Sequence, residues 1–163
     1  MSSRAYIGLG SNLYAPKQQL LSALEEIKTL PQSQFIGRSQ LYRSPPMGNT
    51  EQPDFINAVA AIDTELEPEQ LLNYLAMIEQ LHGRQRNGQK NQPRPLDLDI
   101  LLYGNVTRET AQLVIPHPRL KERNWVLYPL ADISPELVFP DGESLSSLLQ
   151  KMTDKDLEIL EAE

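Results

Sequence analysis

The run Phe55-Ile56-Asn57-Ala58-Val59-Ala60-Ala61-Ile62-Asp63-Thr64 limits the possible folds more than any other stretch of this chain. Read as a strand, its side chains alternate between two faces. Phe55, Asn57, Val59 and Ala61 take one face, and Ile56, Ala58, Ala60 and Ile62 take the other. Both faces are mostly apolar, so the strand belongs in the middle of a sheet covered on both sides. Asn57 is the exception, a polar amide among apolar neighbours.

The flanking segments supply the rest of a sheet and its helices. Ala5 to Leu9 reads as a strand running into a turn at Gly8-Leu9-Gly10-Ser11-Asn12. Pro16 opens a helical pattern with Leu20, Leu24 and Ile27 on one stripe, stopped by Pro31. Phe35 to Arg43 is a second strand, ended by the stiff loop Ser44-Pro45-Pro46-Met47-Gly48. After the central run, Pro68 begins a helix whose stripe is Leu71, Leu72, Leu75 and Ile78, ending near Leu81 before Gly83. Glu79 falls in its last turn, where an anion meets the negative end of the helix dipole and calls for compensation. Gly83 to Gln92 is a polar loop of the length expected for a functional lid. It leads into a strand at Asp97. The order β, α, β, β, α, β matches a split βαβ arrangement, so the expected fold is α+β: a ferredoxin-like antiparallel sheet with helices packed on it.

Beyond Gly104 the pieces are smaller. They are a polar turn from Asn105 to Glu109, an extended piece from Leu113 to Ile115, and a helix from Asn124 to Leu130. A brief strand at Leu137-Val138-Phe139, a helix from Ser144 to Lys151 and an acidic tail expected to fray after Asp154 complete the chain. The 163 residues fit a single domain spanning 1–163, with no internal repeat and no linker.

The chemistry begins at Pro93-Arg94-Pro95-Leu96-Asp97-Leu98-Asp99-Ile100-Leu101-Leu102-Tyr103. On a strand Asp97 and Asp99 point the same way, with alpha carbons ~6.5–7 Å apart, while Leu98, Ile100 and Leu102 face a core. Two carboxylates on one face repel and lose hydration, and a divalent cation compensates both. Two acids facing water explain the spacing equally well. The cations are clustered: Arg84, Arg86, Lys90 and Arg94 lie between Gln80 and Leu96 with no acid among them, and Arg119, Lys121 and Arg123 follow His117 against one Glu122. A net charge of −7 argues against general nucleic-acid binding, so this clustering points to a local anionic ligand. Any one of the arginines fits a solvated surface, and a proline-flanked His117 fits a structural role as well as a ligand contact. Jointly, the acids and the two cationic segments favour a magnesium–nucleotide site, since magnesium takes one or two carboxylates plus phosphate oxygens and water.

Several other chemistries are excluded. There is no Cys, so no disulfide, thiolate metal site or cysteine nucleophile, and two His are too few for a histidine-rich zinc site. No P-loop, HRD or DFG triplet, or GxSxG elbow occurs, and Leu13 stands where a dinucleotide fingerprint needs its third glycine. The N-terminal residues lack the apolar run of a signal peptide, and no stretch approaches the ~20 apolar residues of a membrane span. The expectation is a cytoplasmic monomer acting on small molecules, with no nucleic-acid or membrane partner.

Six segments, in order, carry a family resemblance: Tyr6-Ile7-Gly8-Leu9-Gly10-Ser11-Asn12-Leu13, Tyr42-Arg43-Ser44-Pro45-Pro46-Met47-Gly48, Gln52-Pro53-Asp54-Phe55-Ile56-Asn57-Ala58, Pro93-Arg94-Pro95-Leu96-Asp97-Leu98-Asp99, Pro116-His117-Pro118-Arg119 and Leu137-Val138-Phe139-Pro140-Asp141-Gly142. Together they resemble the 6-hydroxymethyl-7,8-dihydropterin pyrophosphokinases of folate biosynthesis, from Tyr6 to about Gly142. The resemblance implies transfer of diphosphate from ATP to the pterin hydroxymethyl group, releasing AMP, with two magnesium ions. It implies Asp97 and Asp99 as metal ligands and catalytic groups with Arg84 and Arg94. Arg84, Arg94, His117, Lys121 and Arg123 become triphosphate contacts, Arg86 joins the nucleotide-binding set, and Glu79 and Ile100 lie near the nucleoside. The pterin slot takes Ser44, Pro45 and Met47, Asn57 as hydrogen-bond partner, and Phe55 and Trp125 as aromatic walls. Three positions depart from the family pattern: Asn91 replaces a frequent tryptophan, Lys90 an arginine, and Phe55 a tyrosine. The other readings are a magnesium-dependent phosphotransferase or nucleotidyltransferase with a different acceptor, and a small RNA-binding module. Aromatics at 6% and a pI of about 4.9 count against the RNA module.

Overall fold

Ser3–Ser11 (β1), Phe55–Thr64 (β4) and Asp97–Tyr103 (β5) are the long strands, and their pairing defines the molecule. The computed structural model describes residues 2–45, 53–83, 95–152 and 157–160. Between β1 and β4 lie the helix Pro16–Ile27 (α1) and two short strands, Ser33–Arg38 (β2) and Tyr42–Ser44 (β3). Between β4 and β5 lies the helix Pro68–Leu81 (α2). Then come Arg108–Glu109 (β6), Val114–Ile115 (β7), a 3₁₀ turn at Leu120–Glu122, Asn124–Ile133 (α3), Leu145–Lys151 (α4) and Glu158–Ile159 (β8).

The main sheet runs β5-β1-β4-β3-β8, with β2 also on β4, and all of these pairs are antiparallel. Each β–α–β crossover skips one strand: the connection through α1 passes over β4, and the one through α2 passes over β1. This is the expected split βαβ sheet. The central strand of the sequence reading is central here, with β1 on one side and β2 and β3 on the other.

The two faces carry separate cores. Ala5, Ile7, Leu9, Ala58, Ala60, Ile62, Leu98 and Ile100 pack under α1 and α2, whose stripes are Leu20, Ala23, Leu24 and Ile27, and Leu71, Leu75 and Ile78. Tyr6, Val59, Ala61 and Leu101 pack on the opposite face against Leu127 and Leu130 of α3, Leu145 and Leu148 of α4, and Phe139. Helix α2 starts with a capping box between Glu67 and Gln70 and Pro68 in its first turn, which satisfies N–H groups the helix cannot pair itself. At its other end His82 joins it to α1, with Nε2 2.5 Å from Glu26 Oε1 and Nδ1 on Gln19 Oε1.

Five local expectations are corrected. The Gly8–Asn12 stretch is not a turn from its start: β1 stays extended through Gly8 and Gly10 to Ser11, because β4 and β5 pair with it on both sides. The strand expected over Phe35 to Arg43 is two strands, separated at Ser39–Leu41, where the Ser39 backbone N–H bonds Val59 O at 2.8 Å and its hydroxyl accepts from Val59 N at 2.9 Å. Leu102 does not share a face with Leu98 and Ile100. The register slips one residue between Tyr6 and Ile7, and the bulge sends Leu101 and Leu102 both to the α3 side. Leu137–Phe139 forms one isolated bridge, Val138 to Ser144, around the tight turn at Gly142 (φ 92°). The tail does not fray throughout: Glu158–Ile159 pairs with Tyr42 and Arg43, and Leu160 N bonds Leu41 O at 2.9 Å.

Candidate functional site

Helices α3 and α4 cover only the Tyr6, Val59, Ala61 and Leu101 end of their sheet face. Along the same face, the other end carries Asp97 and Asp99 on β5, Gly8 and Gly10 on β1, Phe55 and Asn57 on β4, and Ser44 on β3. The registers align them in rows. Gly10 lies opposite Asn57 on one side and Asp97 on the other; Gly8 lies opposite Val59 and Asp99; Ser44 lies opposite Phe55. Asp97, Asp99, Gly8, Gly10 and Phe55 are all partly exposed. The expectation that the two carboxylates share one face, away from Leu98 and Ile100, agrees with this arrangement.

Asn57 is 5% exposed and donates through Nδ2 to Ser44 Oγ at 2.7 Å, so its amide is held in a fixed orientation. This supplies the partner that a buried amide requires. Pro45, next to Ser44, is exposed. Trp125, on the first turn of α3, is partly buried against the α3/α4 core, and the Arg123 guanidinium stands 5.7 Å from its ring centroid.

Glu79 is 2% exposed, and its Oε2 accepts the Leu98 backbone N–H at 2.8 Å. The carboxylate at the end of α2 therefore fastens β5 midway between Asp97 and Asp99. Leu98 directs its N–H away from β1, and in a ladder the residue two along faces the same way, so Ile100 turns its backbone to the open edge of β5. Its side chain is buried in the α1/α2 core. Any contact of Ile100 with a ligand on the carboxylate side is a backbone contact.

His117 follows the cis Ile115–Pro116 bond, and its N–H donates to Leu101 O at 3.0 Å. Burial pushes its pKa down; Arg123 and Arg119 lower it further, while Asp97 opposes them. His117 therefore lies within electrostatic reach of both Arg123 and Asp97. The Arg119 backbone N–H donates to His117 Nδ1 at 3.3 Å, so in the neutral ring the proton sits on Nε2, which is left as the donor. Lys121 is placed differently. It pairs with Asp141, and with Glu143 at 2.9 Å, and these carboxylates raise its pKa. Met47, Arg84, Arg86 and Arg94, and the lid expected over Gly83 to Gln92 apart from Gly83 itself, lie outside the described residues.

Two hard oxygen donors on alternate positions, standing over glycines that add no side chain, suit a magnesium ion that also binds substrate and water oxygens. Among the described residues there is no cluster of three or more His, Cys, Asp or Glu that could hold a metal. The sequence reading gave no role to Ser11 and Asn12. Both are buried, and they tie the end of β1 to chain segments distant in sequence: Ser11 Oγ donates to Pro95 O at 2.5 Å and Asn12 Nδ2 to Pro53 O at 3.3 Å. A polar pair directly after an apolar strand was the signal available in the sequence.

The model for the 7,8-dihydro-6-hydroxymethylpterin-pyrophosphokinase (HPPK) family matches residues 6–135. The chain belongs to this family. An HPPK from Pseudomonas aeruginosa, 2-amino-4-hydroxy-6-hydroxymethyldihydropteridine pyrophosphokinase, is 46% identical over 149 residues, covering 91% of each chain. The protein of the same description from Haemophilus influenzae is 43% identical over 150 residues, covering 92% of this chain and 93% of its own. Among solved structures, Plasmodium falciparum HPPK-DHPS with pteroate superposes with a TM-score of 0.74 at 15% identity, over 93% of this chain. This chain spans 42% of that longer protein, and at such identity the likeness speaks for the fold.

Proposed function

We propose that this chain carries out the reaction of its family at the open end of the sheet: ATP plus 6-hydroxymethyl-7,8-dihydropterin gives the pterin diphosphate and AMP. Family membership makes it an ATP-dependent pyrophosphokinase of folate biosynthesis. The observation that carries the placement is the row Asn57–Gly10–Asp97, which sets a fixed amide and a carboxylate on one face with only backbone between them.

In this reading the pterin lies with its aminopyrimidinone edge on Asn57, whose orientation Ser44 holds, and between the rings of Phe55 and Trp125. Stacking on each ring contributes roughly 1–3 kcal/mol. Pro45 and Met47 close the slot. Asp97 and Asp99 would hold the magnesium, with two ions as the proposed number, which would supply neutralisation of charge on the transferring phosphates. The hydroxymethyl oxygen attacks the β-phosphorus; the bond from that phosphorus to the oxygen bridging to the α-phosphate breaks; AMP leaves and the hydroxyl proton is released. His117, with a donor at Nε2, and Arg123 face the phosphates, together with Arg84, Arg86 and Arg94. Lys121 joins them only by leaving Asp141 and Glu143, so its share is small. Glu79 and the Ile100 backbone border the nucleoside at the β5 edge.

Arg123 would serve both halves, since it stacks on Trp125 and repels a proton from His117. No helix among the described residues is long and apolar enough to cross a membrane. A monomer in the cytoplasm completes the proposal. The test is AMP release with hydroxymethyl-dihydropterin, ATP and magnesium, each omitted in turn. AMP formation that persists without the pterin, or with an unrelated alcohol in its place, would show a different acceptor.

A further inference from the structure

Asp132 is an unfavourable residue for the place it holds. It lies in the last turn of α3, where a carboxylate meets the negative end of the helix dipole, and no basic residue stands in that turn to offset it. It is exposed, so core packing does not account for it. What it does have is two donors from one distant segment. Its Oδ2 accepts the Tyr42 hydroxyl at 2.7 Å and the Gln40 backbone N–H at 3.1 Å. Tyr42 is 5% exposed, and a buried phenol needs an acceptor. Burial raises the Tyr42 pKa above its ordinary value and the bond to Asp132 raises it further, so the phenol stays the donor.

The strand held in this way has little else to fix it. β3 is three residues long and follows the break at Ser39–Leu41; it pairs with β4, and with β8 at Tyr42 and Arg43. Tyr42 and Ser44 are buried on one face, and the exposed Arg43 takes the other. Tyr42 lies directly opposite Asn57, and Ser44 Oγ accepts from Asn57 Nδ2 at 2.7 Å. At the far end of the link, Asp132 follows Trp125 by seven residues. Two helical turns put both on one stripe of α3, ~10.5 Å apart along its axis. A single helix therefore carries Trp125 at its start and grips β3 at its end.

We infer that Asp132 is a positioning residue for acceptor binding: from outside the slot, through Tyr42 and the Gln40 N–H, it sets the separation between β3 and the Trp125 end of α3. The inference rests on the pterin reading above and deepens it. Without the link β3 keeps its ladder to β4 but tilts against α3, and Ser44 and Trp125 lose their fixed spacing. The carboxylates of β5 lie beyond β4 and β1, so the nucleotide side is left as it was.

The experiment is calorimetric titration of wild type, Asp132→Ala, Asp132→Asn and Tyr42→Phe. Each is titrated with a non-hydrolysable ATP analogue and magnesium, then with 6-hydroxymethyl-7,8-dihydropterin added to that complex. All three variants should keep the analogue Kd within about twofold. Asp132→Ala and Tyr42→Phe should weaken the pterin at least about fivefold, and Asp132→Asn, which retains an acceptor oxygen, should recover most of the loss. Adding Tyr42→Phe to Asp132→Ala should weaken the pterin no further, because both break one link; losses that multiply refute the shared path. A smaller pterin loss in Asp132→Ala, even with a lowered Tm, overturns the inference and leaves the functional reading standing. Equal weakening of analogue and pterin also overturns it, since it marks a general structural role. Wild type that binds the analogue but no pterin overturns both readings. If Asp132→Ala folds poorly, Tyr42→Phe, which removes a single hydroxyl, carries the same test.

Discussion

Replacing Glu79 separates two roles that a buried carboxylate at a helix end can play. Its Oε2 accepts the Leu98 N–H at 2.8 Å, and the side chain is almost wholly buried. Glu79→Ala removes that acceptor and leaves a buried backbone N–H unmatched. A hydrogen bond to a charged group contributes about 1.5–3 kcal/mol. For a domain of this size each kcal/mol moves Tm by about 2–4 °C, so the drop should be about 3–12 °C. Glu79→Gln keeps an amide oxygen where the carboxylate was and should lose about one to two thirds as much, since a neutral bond contributes about 1 kcal/mol. The assay is thermal unfolding at pH 7 for the three proteins, paired with magnesium–ATP-analogue binding by calorimetry. Because Leu98 lies between Asp97 and Asp99, the Ala variant should also bind the analogue more weakly than the Gln variant. If Gln loses as much as Ala, the carboxylate acts by its charge and not as the acceptor that holds β5. If neither variant moves Tm, the bond contributes nothing and the reasoning fails.

Other expectations follow from the site. Asp97→Ala and Asp99→Ala should each lower AMP release by more than about a thousandfold, as loss of several kcal/mol of charge stabilisation implies; turnover near the wild-type rate at saturating magnesium would refute the metal role. His117 has a folded pKa below its ordinary value, mainly through burial, so below about pH 6.5 the unfolded chain binds a proton that the folded state resists. Stability from this group is therefore complete above that pH and declines as pH falls through the window; denaturant titrations from pH 7.5 to 5.5 should show a shallower decline for His117→Asn, and parallel curves would refute the assignment. Lys121→Met should leave the ATP KM within about twofold, because its charge is already matched by Asp141 and Glu143; a tenfold rise in steady-state KM would restore it to the phosphates.

The sequence made the sheet legible because its long strands are constrained on both faces. Phe55–Thr64 could only be central, and Pro16 and Pro68 mark helix starts that proline favours. The pairing of Asp97 with Asp99 followed from a period of two. What escaped the sequence was set by other chains of contact. Whether Leu102 faces one core or the other depends on a one-residue slip against β1, which no local pattern encodes. The break at Ser39 depends on a hydroxyl meeting the Val59 backbone across the sheet. Lys121 looked like one more cation after His117, but Asp141 and Glu143 reach it from a turn some 20 residues away in sequence. Glu79 was recognised as needing compensation, and one of the groups that meets it is the Leu98 backbone N–H, which has no signature in the sequence.

The chain has one tryptophan, and it is Trp125. It sits where the α3/α4 core ends and the open half of the sheet begins, with a guanidinium over its ring. Its emission therefore reports on that boundary, which in the proposed function is the rim of the pterin site. A pterin seated beside it should quench that light by energy transfer, and an Arg123 drawn off toward phosphate should change its colour without quenching it. The two substrates would then be told apart in unlabelled protein, by an optical reporter already built into the fold.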